Sequence, residues 1–181
     1  MKVYYSDISC LCVDNVEYDN FCLERRKYVD SINDKKRKLQ SIAAWKLLEY
    51  VTYGKTLNLS FAENGEWYDK NGNVCFSISH SHNIVAVAIS DFAVGVDVEK
   101  CNEKITRIKR RFDFTLDDKL SLVENLTKQW TIEECVFKSK NAKNVQSKKI
   151  KDKLNNEYYI SVCGKDANFE FLPILTENFI K

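Results

Sequence analysis

VCFSISHSHNIVAVAISDFAVGVDVE, residues Val74 to Glu99, decides how the chain reads. Val74 to His80 alternates in part, Ile84 to Ser90 is a nearly continuous apolar run, and Val94 to Val98 places valine at every second position. Alternation marks a half-covered strand and a continuous run marks one covered on both faces, so three strands are expected here. Asp97 and Glu99 stand two apart on the third strand and leave it from one face. Two such carboxylates repel unless a proton or a cation lies between them, and oxygen pairs of this kind suit Mg²⁺. Taken alone, the pair reads more readily as solvated acids at a strand end. Gly95 leaves room for another backbone or a phosphate to approach. Ser77, Ser79, His80, Ser81 and His82 suit donation to phosphate oxygens and ordinary turn contacts equally well. Local spacing gives too little for a Ser-His nucleophile or a zinc site.

Working outward, Lys2 to Ser9 reads as a strand. Tyr18 to Val51 reads as helical, with a break at Ser31-Ile32-Asn33-Asp34, where Ser, Asn and Asp offer an N-cap. Asn64-Gly65 and Asn71-Gly72 carry tight-hairpin chemistry. Downstream, Lys104 to Arg111 is basic and helical. Thr115 with Asp118 three residues on marks a helix start. That helix should run to about Lys140, with Leu120, Val123, Leu126, Trp130 and Phe137 on an apolar stripe. Glu134 and Lys138 lie at i and i+4 on it, where a surface ion pair is the plain reading. Glu157 to Cys163 and Asn168 to Leu172 are two late strands. The order is α+β, with a hint of duplication about Asp91 to Val94 that divides the chain into 1–92 and 93–181.

The 181 residues are 44% hydrophobic and 12% aromatic, enough for one domain or two closely packed halves and too apolar for a disordered chain. A net charge of +2 gives no indication of a nucleic-acid partner. No apolar run reaches the ~18 residues of a membrane span. Met1 to Asp7 lacks the apolar run of a signal peptide. A cytoplasmic protein is expected. The seven cysteines are odd in number, irregularly spaced and without a CxxC pair, which fits reduced, mostly buried thiols.

Three segments in order resemble the motifs of the 4′-phosphopantetheinyl transferase superfamily, F-N-[IL]-S-H-S, [VI]-G-[VI]-D-[VI]-E and W-x-x-K-E-x-x-x-K. They stand here as Phe76 to Ser81, Val94 to Glu99 and Trp130 to Lys138. Phe114 to Asp118 is similar to the family's F-[ST]-x-x-E element with Asp for Glu. The likeness covers about Arg25 to Lys138, and the length matches the monomeric, surfactin-synthetase-activating type. The resemblance implies two similar α/β halves about a pseudo-two-fold axis. It also implies transfer of phosphopantetheine from coenzyme A to a serine of an apo acyl or peptidyl carrier protein. In that reading Asp97, Glu99 and Glu134 hold Mg²⁺, Glu134 or a water it orients takes the serine proton, and Lys138 steadies phosphoryl charge. His80 and Ser79 hold the nucleotide phosphates, and Arg37 and Arg25 grip the 3′-phosphate. Four departures stand against this pattern. The family's G-K-P lysine is Glu66, the lysine before the catalytic glutamate is Glu133, the motif's Asn is Ser77, and no K-G-x-G loop follows Lys138. The acids leave two other readings open: a carrier-binding homologue with little catalysis, and an unrelated Mg²⁺-dependent phosphohydrolase. Carrier proteins present an acidic helix, so the clusters Lys104 to Arg111 and Lys140 to Lys153 are candidates for docking and equally for solvated surface.

Overall fold

The apolar run becomes β5 (Ile84–Ser90), and Val85, Ala86, Val87 and Ala88 are fully buried. It pairs antiparallel with β4 (Cys75–Ser81) on one side and β1 (Lys2–Asp7) on the other. The strand β9 (Glu170–Pro173) adds to β1 in parallel, giving the order β4-β5-β1-β9. A second, antiparallel sheet has the order β6-β8-β7, from β6 (Val94–Lys100), β7 (Asn144–Lys151) and β8 (Glu157–Gly164). The short strands β2 (Leu59–Phe61) and β3 (Trp67–Asp69) pair with each other. The helices are α1 (Leu23–Asp30), α2 (Lys35–Val51) and α3 (Leu122–Lys138), with a 3₁₀ helix at Glu103–Arg111. This computed structural model describes residues 1–53, 55, 57–61, 67–111, 116–140 and 142–180, with 108–111 as backbone alone. The architecture is mixed α+β, and no helix among the described residues is long and apolar enough to cross a membrane.

Both faces of β5 are covered, which is why the run carries no internal polar residue. Val85 and Val87 pack under α2 with Ile42, Trp45, Leu47 and Leu48. Ile84, Ala86 and Ala88 face the other way, onto Val94, Val96 and Val98 of β6 and Ile160 and Val162 of β8. The alternate residues of β6 meet α3 on the outer face of the second sheet. A Cβ at Gly95 would lie 1.9 Å from the Cys135 carbonyl oxygen and 2.7 Å from the Ser139 nitrogen. Of the two approaches that Gly95 permits, the structure uses the backbone one.

Several expectations change at the element boundaries. The break before α2 holds, with Asp34 as N-cap accepting from Arg37 N. The long helix does not begin near Thr115, which lies outside the described residues. It begins at Leu122, where Ser121 and Glu124 form a reciprocal capping box, and Asn125 Nδ2 ties down the carbonyls of Asp117, Leu120 and Ser121. That leaves Leu120 ahead of the helix, and Phe137 is 75% exposed rather than on the buried stripe. The basic segment from Lys104 is helical as expected, in the 3₁₀ form. Asn71-Gly72 does turn the chain, with Gly72 at φ +67°, but it links β3 to a strand of another sheet and closes no hairpin. Glu63 to Glu66 lies outside the described residues. All seven cysteines are free, yet only Cys135 and Cys163 are buried.

Candidate functional site

β4 and β6 lie in different sheets, and side chains join them. The hydroxyls of Ser77, Ser79 and Ser81 accept from the amides of Val96, Val98 and Lys100 at 3.1, 3.2 and 3.2 Å. The step is two residues on both strands, so three hydroxyls on one face of β4 meet three amides along one edge of β6. The central hydroxyl does more: Ser79 Oγ donates to Asp97 Oδ1 at 2.8 Å. The same oxygen receives Lys138 Nζ from the last residue of α3 at 2.7 Å, and that ammonium also donates to Val96 O at 3.2 Å. Asp97 is 7% exposed. Burial pushes its carboxyl up from the usual range, while the Lys138 charge and the two hydrogen bonds pull it back. Glu99 follows on the same face of β6. Burial first, then repulsion from Asp97, push its carboxyl up to about 7.

Phe76, Ile78 and His80 leave β4 on the opposite face, toward α2, where Phe76 and Ile78 pack into the first core. Burial above all holds the His80 imidazole down at about 4, and the charges of Lys138, Arg37 and Arg25 add to this. His80 is therefore a neutral donor or acceptor at neutral pH, standing among three cations. Arg25 is 5% exposed, with its guanidinium 4.5 Å from the centre of the Trp45 ring, 5.1 Å from Tyr28 and 5.7 Å from Trp67. Its Nη2 donates to Ser41 O at 2.6 Å and to Ser41 Oγ at 2.7 Å, and burial lowers it to about 10. Arg25 Nε has no partner among the described residues. Arg37 is exposed and makes no ion pair among them. Just beyond, His82 and Asn83 form part of the wall of a cavity of about 300 Å³ that Lys35 and Lys36 also line.

The structure thus gathers Ser79, Asp97 and Lys138 by direct contact, with Glu99 coupled by charge to Asp97 and Lys138, while Arg25 and Arg37 act on His80, which Lys138 also reaches electrostatically. Glu134 is half-buried one turn before Lys138 and has no hydrogen bond or ion pair among the described residues. Its expected i, i+4 partner reaches Asp97 instead. Glu133 is exposed and accepts from Gln129 Nε2 at 3.1 Å, and Glu66 lies outside the described residues. Among the described residues, no three His, Cys, Asp or Glu side chains gather into a group that could hold a metal ion. The donor type nevertheless suits Mg²⁺, because two carboxylates on one strand face call for a positive charge between them. At Asp97 that charge is at present the Lys138 ammonium.

The basic clusters divide. Lys104 and Arg107 are exposed, while the side chains of Lys109, Arg110 and Arg111 lie outside the description. Lys149 bridges Glu124 and Glu157 at 2.7 and 2.9 Å, and Lys151 also pairs with Glu157. Lys148 sits over the rings of Tyr5 and Phe171. The serine seam escaped the sequence reading, although its sign was present: hydroxyls at 77, 79 and 81 keep the same period as the β6 strand. No protein-family model matches the chain, and no curated protein matches it.

Proposed function

We propose that the protein transfers 4′-phosphopantetheine from coenzyme A to a serine of an apo acyl or peptidyl carrier protein, as a cytoplasmic monomer. One observation carries the reading. Ser79, Asp97 and Lys138 come one from each of three motifs spread over some sixty residues, and all three meet at a single carboxylate oxygen. The strand orders add support, since β1-β5-β4 about α2 and β6-β8-β7 about α3 follow one connection rule, as two similar halves would. His80 and Arg37 would receive the nucleotide phosphates, with Arg25 stiffening the wall behind them through its three aromatic neighbours. Mg²⁺ held by Asp97, Glu99 and Glu134 would neutralise the pyrophosphate charge. Glu134, which has no described partner, would take the proton of the carrier serine or orient a water that does. Lys138 would donate to the phosphoryl oxygens as charge builds there.

The test is intact mass of several apo carrier proteins after incubation with coenzyme A, Mg²⁺ and the enzyme. A carrier that gains the phosphopantetheine mass, and fails to gain it with Asp97→Asn, supports transfer. Binding of carrier without modification would make the protein a carrier-binding module. Phosphate release without any carrier would make it a phosphohydrolase.

A further inference from the structure

We propose that Lys138 is a resident counter-ion of Asp97 that a divalent cation must displace, so that cation entry and release of the Lys138 ammonium are one event. The identity of the cation rests on the transfer reading, but the exchange rests on geometry. A carboxylate as buried as Asp97 is costly without a paired charge. Its Oδ1 already takes Ser79 Oγ at 2.8 Å and Lys138 Nζ at 2.7 Å, and the ammonium is further fixed by Val96 O. A cation ligated by that oxygen would lie within a few ångströms of the ammonium, in surroundings that screen charge far less than water does. Both cannot stay. Lys138 is the one able to leave, because it ends α3 and its side chain keeps 25% of its surface in solvent.

The exchange serves two needs. Glu99, set beside Asp97 on the same strand face, gains a nearer positive charge. The freed ammonium, still tethered beside the carboxylates, becomes available to an anion arriving at the same place. Cation and anion therefore assist one another, with Lys138 passing from one role to the other.

Binding of Mn²⁺ alone, followed by electron paramagnetic resonance, tests this without coenzyme A or carrier. Lys138→Gln, which keeps a donor for Val96 O but no charge, is expected to bind Mn²⁺ roughly tenfold more tightly than the parent, or better. Adding Asp97→Asn should abolish the gain. Equal affinity in parent and Lys138→Gln, or a gain that survives Asp97→Asn, overturns the proposal. Because Lys138→Gln uncovers a buried carboxylate and can fail to fold, the parent itself supplies a second measurement. In ¹⁵N-lysine-labelled protein the Lys138 ammonium, held by two acceptors, should give a side-chain signal that disappears once Mg²⁺ is bound. A signal that persists with Mg²⁺ bound overturns the exchange. Since neither measurement involves transfer, failure here is distinct from failure of the mass assay.

Discussion

Gly95→Ala tests how the sheet, the long helix and the acidic site depend on one another. The added methyl would meet Cys135 O at 1.9 Å, Ser139 N at 2.7 Å and the Cys135 carbonyl carbon at 2.9 Å. All three are backbone, and the first two are joined by the last hydrogen bond of α3, at 3.0 Å. No side chain can swing aside. To restore ordinary contact of 3.4 Å the helix end must retreat by about 1.5 Å. Lys138 stands on that end, so its 2.7 Å contact with Asp97 would stretch toward 4 Å. Forced overpacking of this kind costs about 2–3 kcal/mol. With a urea slope of about 2 kcal/mol/M, the unfolding midpoint should fall by about 1–1.5 M. Urea unfolding followed by tryptophan fluorescence reads this directly. A midpoint within about 0.2 M of the parent would refute the argument that Gly95 is there to admit the helix.

Two further outcomes follow from the charges. His80 is held at about 4 in the folded protein against 6.5 when unfolded, so its contribution to stability is whole above pH 6.5 and drains as pH falls toward 4. Glu99, raised from 4.5 to about 7, contributes fully below pH 4.5 and loses that contribution as pH rises through 7. The slopes oppose, so stability measured by urea unfolding between pH 4.5 and 6.5 should climb with pH in Glu99→Gln and fall in His80→Asn; a Glu99→Gln profile parallel to the parent's refutes the assignment. For carrier docking, Arg107→Glu should raise the Michaelis constant for the carrier at unchanged stability, and that constant should climb with ionic strength. Lys149→Glu, by contrast, should cost about 1 kcal/mol of stability, because it places a third acid between Glu124 and Glu157. A salt-independent constant, or a fully stable Lys149→Glu, would contradict this division of the lysines.

What the sequence made legible was whatever repeats locally. Period-two alternation located β4 and β6, the continuous apolar run located β5, and the Ser-Asn-Asp break located the start of α2. The strand β7 was not legible, because QSKKIK reads as a solvated tract; it forms because β8, with Tyr158 to Cys163 buried, needs a second neighbour. The start of α3 was misplaced because Thr115 offers cap chemistry as Ser121 does, and the helix starts at Ser121, where Glu124 closes a reciprocal capping box. At the site, the same-face placement of Asp97 and Glu99 was readable from spacing. The partner of Lys138 was not, since helix spacing points to Glu134 and the true acceptor lies 41 residues away across an interface. Arg25 read as a phosphate ligand by position, and nothing local revealed the aromatic box that holds it.

The serine seam has a consequence for how the molecule behaves among its own copies. A strand at the margin of a sheet offers a row of bare amides to which any extended chain can add, and proteins blunt such margins with charges, prolines, bulges or a covering element. β6 is at such a margin, and its inner strand, Val94 to Val98, is buried and rich in valine. Here the margin is closed by three hydroxyls, which quench Val96, Val98 and Lys100 one by one without extending the sheet. The small polar residues at 77, 79 and 81 therefore guard against fibre-like self-addition as well as framing a site.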